Sequence, residues 1–167
     1  CHGTGTCHSE RRVFCVPGAT SITYRRSTPQ FSAVTWLTGM KLAELQDKSI
    51  LILGLGREGC ATLEFLRAWF PEKLIGLADK ATFDQLGVTA QEAIRADAHV
   101  RLYLGSDYLA SLRQHDVIIK SPGIAPTLPV IQKATDAGKL ITSQTAVFFA
   151  NCPATIVGVT GTKGKST

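Results

Sequence analysis

From residue 49 onward, short apolar runs alternate with amphipathic stretches. The first run, Ile50–Leu53, precedes a segment with Leu63, Leu66 and Phe70 at i, i+3 and i+7, which ends before Pro71. This spacing predicts a buried strand followed by a helix. Further strands are predicted at 74–78 (ending at Asp79), 100–104, 117–119, 140–141 and 155–159, with helical stretches mostly between them. Apolar strands separated by helices predict an α/β fold with a parallel sheet covered by helices on both faces.

Residues 1–39 carry no sustained period of either helix or strand. They end just before Met40, which is the one methionine of the chain. We therefore expect the fold to begin at Met40, and residues 1–39 to be disordered or a translated leader ahead of the true initiator. The alternative is a genuine extension in which 31–37 form a small strand. The domains predicted are 40–150 and the start of a second domain at 151–167.

Composition and charge are those of an ordinary globular protein. The 167 residues are 44% apolar, enough for one core, and no apolar run is long enough to span a membrane. The formal charge is +5, and most of it comes from the first 39 residues, which contain four arginines and one glutamate. Because the rest of the chain is nearly balanced, the charge does not indicate nucleic-acid binding. The spacing of Cys1, His2, Cys7 and His8 misses the usual zinc pattern, and the five cysteines form no disulfide framework.

A glycine loop follows the first strand and opens the first helix. Its sequence from Gly54 to Gly59 is GLGREG, and Asp79 stands twenty residues further on, at the end of the second strand. Gly54 permits a tight turn, Gly56 lets a phosphate approach the backbone, and Gly59 lets helix and strand pack closely. The loop therefore predicts a phosphate-bearing ligand, with NAD, FAD and UDP-sugars all compatible.

A second glycine loop occupies 158–167, with the sequence GVTGTKGKST after a predicted strand. It fits the Gly-x-x-Gly-Lys-Ser core of a P-loop, in which backbone N–H groups and Lys165 hold phosphates and a Ser166 or Thr167 hydroxyl binds Mg²⁺. Two different phosphate loops in one chain indicate two nucleotides.

Together these motifs resemble the Mur ligase family, and within it the branch that adds D-glutamate. The resemblance rests on 54–59, on Asp79, on Ser121-Pro122-Gly123-Ile124 and on 158–167. It implies a Rossmann-like N-terminal domain that holds UDP, followed by the first strand and P-loop of a truncated ATPase domain. A third domain of that family helps to bind the incoming amino acid.

The resemblance also assigns residues. It implies that Gly56, Arg57 and Glu58 lie beside the UDP diphosphate and that Asp79 and Lys80 lie near the uracil and ribose. Ser121, Pro122 and Gly123 would form the turn beneath them. The implied ATP site is Gly161, Thr162, Lys163, Gly164, Lys165, Ser166 and Thr167, with Lys165 as the catalytic residue. Arg57, Glu58 and the pair Gln144-Thr145 depart from the commonest family pattern.

The implied reaction is the ATP-dependent addition of D-glutamate to UDP-N-acetylmuramoyl-L-alanine. ATP phosphorylates the alanine carboxylate, and the amine of D-glutamate attacks the acyl phosphate. The family implies a cytoplasmic monomer that uses ATP and Mg²⁺ and binds neither nucleic acid nor membrane. Because the remaining catalytic groups would lie beyond Thr167, we expect this chain alone to be inactive.

Three alternatives remain open from the sequence. The first glycine loop and Asp79 also suit an NAD(P)-dependent oxidoreductase or a nucleotide-sensing module, and both loops suit a regulatory domain in which they are structural. Other Mur ligases, which add alanine, a diamino acid or a dipeptide, share the motifs.

His99 and His115 are interpreted as surface or capping residues without a catalytic role.

Overall fold

The computed structural model describes residues 40–156, which form a five-stranded sheet with helices on both faces. The strands are β1 (Ile50–Leu53), β2 (Ile75–Asp79), β3 (Val100–Leu104), β4 (Val117–Lys120) and β5 (Leu140–Ser143). The helices are α1 (Leu42–Leu45), α2 (Arg57–Trp69), α3 (Val88–Ala96), α4 (Pro129–Asp136) and α5 (Gln144–Asn151), with 3₁₀ turns at Phe83–Gln85 and Tyr108–Gln114.

All strand pairs are parallel, in the order β3-β2-β1-β4-β5. In the centre, Ile50 of β1 lies opposite Ile75 on one side and Val117 on the other. Helices connect successive parallel strands because a parallel crossover must return the chain to the same end of the sheet. The predicted α/β class with a Rossmann-like parallel sheet is therefore confirmed.

Five of the predicted strands form, with small differences at their ends. Leu74 was expected in β2 but precedes it and is 56% exposed, while β4 and β5 run on to Lys120 and Ser143. The sixth strand, predicted at 155–159, is not supported at Thr155 and Ile156, which lie in neither helix nor strand. Its other positions, the P-loop and residues 1–39 lie outside the described residues.

Two apolar layers cover the sheet. On one face Ile50 and Ile52 pack with residues of α1, α2, α3 and α5, and on the other Leu51 and Leu53 pack with α4 and the Tyr108–Gln114 turn. This division follows from the alternation of side chains along a strand. The edge strand β3 differs from the sequence expectation, because it is not buried on both faces and Leu102 is 40% exposed.

Residue 40 belongs to this fold. Met40 is buried, and its carbonyl accepts a hydrogen bond of 2.9 Å from the Asn151 side-chain amide at the end of α5. The Asn151 side-chain oxygen in turn accepts from the N–H of Leu42 at 2.9 Å. The start of the described chain is thus tied to its last helix. The domain boundaries proposed from the sequence remain predictions.

His115 takes the second of the two roles expected for it, at the surface or at a helix cap. It is the C-cap residue of the Tyr108–Gln114 turn and is 7% exposed, with Nδ1 2.9 Å from the Ser111 carbonyl oxygen and its ring edge-on to Tyr103. The ring fits because Gly76 lies beside it, and a Cβ on Gly76 would come within 2.5 Å of Nε2. His99, in contrast, is exposed, as expected.

Arg67, near the end of α2, connects three segments at the amino edge of the sheet. Its guanidinium donates to the Asp97 carboxylate at 2.5 Å and to the carbonyl oxygens of Phe70, Lys73 and His99 at 2.9, 2.6 and 2.7 Å. The side chains of Arg67 and Asp97 are only 18% and 12% exposed. This cluster therefore fixes the end of α2 against the turn before β3.

Acid should weaken this connection. Partial burial by itself raises the pKa of Asp97, but hydrogen bonds from Arg67 and the His99 N–H, with the charge of Arg67, together lower that pKa below its usual value. A carboxyl whose pKa is depressed by folding contributes stability above its unfolded pKa of about 3.9, and this is lost as the pH falls through the folded value. We expect urea unfolding of the wild type to show this loss between about pH 5 and 3. Asp97→Asn, already less stable at pH 7, should lose less over that range, and equal losses in both proteins would contradict the assignment.

Candidate functional site

The candidate site lies at the topological switch point of the sheet, beside β1, where strands that follow in the chain are added on opposite sides. From β1 the chain proceeds to β2 and β3 on one side, and then crosses to β4 and β5 on the other. In open α/β sheets, ligands bind outside the carboxyl ends of the strands at this point. A cleft of about 520 Å³ is found there. Six residues predicted from the sequence line it: Gly56, Glu58, Asp79, Lys80, Ser121 and Gly123.

The glycine loop has the close packing that its sequence predicts. Gly54 has a φ of +96°, and a Cβ at Gly59 would lie 2.0 Å from the carbonyl oxygen of Gly54. At Gly56 the nearest atom to an added Cβ is a Glu58 oxygen 3.9 Å away. Gly54 and Gly59 are therefore required by the fold, whereas Gly56 leaves space on the side from which a ligand would approach. Because α2 begins at Arg57, its unpaired first-turn N–H groups lie at this edge of the cleft.

Asp79 braces the glycine loop from the end of β2. One carboxylate oxygen accepts from the Leu55 N–H at 2.6 Å and the other from the Ala81 N–H at 2.9 Å. A carboxylate oxygen has further acceptor capacity, so Asp79 can still receive a hydrogen bond from a ligand. The sequence indicated the ligand-binding role and missed the brace. Neighbouring Lys80 is exposed at the cleft.

Ser121 joins the two loops of the cleft. Its hydroxyl donates to the Gly54 carbonyl at 3.0 Å, and its N–H donates to the Leu53 carbonyl at 2.9 Å. Its hydroxyl proton is thus used within the protein. The loop after β4 is closed further by Lys120, whose ammonium donates to the Ile124 carbonyl at 3.1 Å. Partial burial lowers the pKa of Lys120.

Two predicted site residues lie elsewhere. Arg57 lines a separate groove of about 1000 Å³ between α2 and α3 and not the cleft. Successive helical residues point about 100° apart, so Arg57 and Glu58 do not share a direction. Pro122 is exposed and shapes the turn after β4 without lining the cleft. The predicted ATP site at 161–167, including Lys165, lies outside the described residues.

The sequence analysis missed part of the cleft. The additional lining residues include Tyr108, Ile124, Ala125 and Leu128. Ile124 stood in the motif after β4 but was given no role. Tyr108 lies in a 3₁₀ turn, for which the sequence carries no clear period. The cleft therefore has an apolar side opposite its polar glycine loop.

The charges suit a ligand that carries both anionic and hydrogen-bond donor groups. Lys80 and the first-turn N–H groups of α2 can hold an anion, and Glu58 and Asp79 can accept from N–H or O–H groups. Among the described residues that line the cleft there is no cysteine or histidine. Within 40–156, no group of three or more His, Cys, Asp or Glu side chains is arranged to hold a metal ion. The cleft thus combines Lys80 with two carboxylates that can accept hydrogen bonds.

Comparison with known families identifies the domain that contains the cleft. Residues 48–143 match the family model described as the Mur ligase MurD-like N-terminal domain. The chain belongs to this family. The matched region contains the glycine loop, Asp79 and the loop after β4, so the whole cleft lies within the Mur ligase domain.

Curated relatives of this Mur ligase domain include two kinds of enzyme. The chain is 35% identical over 123 residues to UDP-N-acetylmuramoylalanine–D-glutamate ligase of Clostridium kluyveri, covering 74% of the chain and 26% of the relative. It is 34% identical over 128 residues to UDP-N-acetylmuramoyl-L-alanine–L-glutamate ligase of a Micromonospora species, covering 77% and 27%. The chain thus spans about a quarter of the length of these relatives, whose names state opposite glutamate enantiomers.

The helices of the Mur ligase domain are short. Across residues 40–156, none combines the length and apolar character that crossing a membrane requires.

Proposed function

We propose that this Mur ligase domain holds the UDP part of UDP-N-acetylmuramoyl-L-alanine in the cleft at the carboxyl edge of its sheet. The observation that carries the proposal is the glycine loop at the switch point, which hydrogen bonds with Asp79 and Ser121 fix at the edge of the cleft. A diphosphate suits the loop amides and Lys80. The N–H of uracil and the ribose hydroxyls suit the free acceptor capacity of Asp79 and Glu58.

The domain then acts as the N-terminal part of an ATP-dependent ligase of peptidoglycan precursor synthesis. The sequence 158–167 supplies a P-loop in which the backbone and side chains of 161–167 bind ATP. Lys165 neutralises charge on the transferred phosphate, and the hydroxyl of Ser166 or Thr167 is the ligand for Mg²⁺. We infer a monomeric, cytoplasmic protein.

The chemistry explains why two nucleotides are needed. A carboxylate is a poor acyl donor at neutral pH, so ATP converts the alanine carboxylate of the substrate into an acyl phosphate. The amine of glutamate attacks the carbonyl carbon of the acyl phosphate, phosphate leaves, and an amide bond forms. We take the amino acid to be D-glutamate, as the motifs first suggested, although the names of two relatives, from Micromonospora and Salinispora tropica, state the L-enantiomer. The 167-residue chain should bind UDP and form no product.

The proposal is tested by calorimetric titration of the chain with UDP and with NAD⁺. We expect saturable binding of UDP and no comparable binding of NAD⁺. Binding of NAD⁺ in preference to UDP would instead support the oxidoreductase or nucleotide-sensing alternative. Product formation by the chain with UDP-N-acetylmuramoyl-L-alanine, ATP and D-glutamate would contradict its expected inactivity.

Asp79→Asn should weaken UDP binding about tenfold. An amide has one acceptor oxygen, so either the Leu55 N–H or the Ala81 N–H loses its partner, and the charge-assisted bonds that brace the loop are lost. Asp136→Asn, an exposed change in α4, is the matched control and should leave the dissociation constant unchanged. Equal affinities in the wild type and Asp79→Asn would exclude a role for the brace in binding.

A further inference from the structure

The cleft has an apolar wall that the proposed diphosphate contacts do not use. Tyr108, Ile124 and Leu128 line it, and all three pack against the buried cluster that contains Leu53 and Ala78. Tyr108 is half-buried and is the one aromatic residue among the described residues that line the cleft. A ligand that was only a phosphate would leave this apolar surface facing water.

Backbone contacts bring Tyr108 to the side of the cleft where β2 ends. The N–H of Gly105, at the end of β3, donates to the carbonyl oxygens of Asp79 and Ala81 at 3.1 and 3.2 Å. Gly105 has a φ of +85°, which turns the chain, and the Tyr108 N–H donates back to the Gly105 carbonyl at 3.4 Å. Tyr108 is thus held near the end of β2, where Asp79 lines the same cleft.

We propose that Tyr108 forms a base-binding subsite, in which the planar pyrimidine of the nucleotide packs on the tyrosine ring and against Ile124 and Leu128. The polar edge of the base then lies toward Asp79 and Lys80, while the phosphates occupy the glycine loop. This inference rests on the proposed function, because it places the base of the same uridine nucleotide. It adds a residue that selects a nucleotide over a free diphosphate.

The physical basis is the match between two flat surfaces. Base–aromatic stacking tolerates different bases and typically accounts for about a fivefold to hundredfold change in affinity when the aromatic residue becomes alanine. Ile124 and Leu128 extend the apolar surface, so water is removed from both faces of the contact. A phosphate group gains nothing from such a wall.

Two probes separate the subsite from the rest of the cleft: UDP, which has a base, and inorganic pyrophosphate, which does not. Calorimetry on the full 167-residue chain should show UDP binding weakened about tenfold in Tyr108→Ala and changed less than about twofold in Tyr108→Phe. Pyrophosphate binding should be the same in both variants and in the wild type. Equal UDP affinity in Tyr108→Ala and the wild type would overturn the subsite, as would an equal loss of UDP and pyrophosphate binding.

Tyr108→Leu guards against loss of folding, since it keeps an apolar side chain against the core but removes the ring. With thermal unfolding unchanged, it should still bind UDP more weakly than Tyr108→Phe, and equal affinity would again overturn the subsite. Magnetisation transfer between the tyrosine ring and the uracil H5 and H6 protons should appear in the wild type and vanish in Tyr108→Leu. A wild type that binds no UDP would overturn the proposed function together with the subsite, whereas the results above overturn the subsite alone.

Discussion

Replacing Gly59 with alanine should destabilise the domain by about 3 kcal/mol and abolish UDP binding. The added Cβ would lie 2.0 Å from the Gly54 carbonyl oxygen and 3.0 Å from its carbon. These are backbone atoms, so the loop itself must move to relieve the overlap. That movement disturbs the hydrogen bond from Ser121 to the same carbonyl and the edge of the cleft. Chemical denaturation and UDP titration measure the two effects.

Gly123→Ala is the matched control for stability. An added Cβ at Gly123 meets no atom within 4 Å, so its free energy of unfolding should stay within about 0.5 kcal/mol of the wild type. If Gly59→Ala were as stable as Gly123→Ala, the tight contact between α2 and the glycine loop would not exist in solution.

Arg67→Met should lower the free energy of unfolding by about 3 kcal/mol. Methionine keeps most of the aliphatic stem but removes four hydrogen bonds, and it leaves the mostly buried Asp97 carboxylate without its charged partner. Arg67 and Asp97 lie at the opposite end of α2 from the cleft. The folded variant should therefore bind UDP as the wild type does, which separates this effect from that of Gly59→Ala.

Arg113→Met is the control for removal of a positive charge. Arg113 is exposed in the Tyr108–Gln114 turn, so its replacement should change stability by less than about 0.5 kcal/mol. A loss at Arg67 no larger than that at Arg113 would show that the cluster contributes little net stability.

Features that depend on local pattern were predictable from the sequence. The apolar runs located β1 and β3 at their observed bounds, and the spacing of Leu63 and Leu66 located the buried face of α2. Of the six predicted cleft residues, Gly56 and Asp79 were indicated by the glycine-loop pattern itself, whereas the resemblance to the Mur ligase family implied Glu58, Lys80, Ser121 and Gly123. Parallel strands bring the strand ends that carry these residues to one edge of the sheet.

Features that depend on distant parts of the chain were not predictable. Ser121 and Gly54 are 67 residues apart, and Arg67 and Asp97 are 30 apart, so no local period indicates either contact. The burial of His115 depends on the missing side chain of Gly76 in a different strand. Tyr108 enters the cleft only because the segment after β3 is bonded to the end of β2.

Asp79 both lines the cleft and holds the glycine loop. A carboxylate at the end of the second strand was expected to face a ligand, and it does line the cleft. It also holds the backbone of the loop that the ligand would contact. Because one group does both, substitutions at Asp79 cannot be interpreted as loss of a ligand contact alone. The Leu55 amide reports on the brace, since its signal should shift in Asp79→Asn before any ligand is added.

The central claim is that UDP binds in the cleft at the carboxyl edge of the sheet and not in the larger groove between α2 and α3. It is tested most directly by mapping amide chemical-shift changes in the ¹⁵N-labelled chain during a UDP titration. Our account predicts the largest changes at Glu58, at Lys80 and across 121–124, which line or border the cleft alone. Changes confined to 89–99, along the groove, or the absence of any saturable change would contradict it.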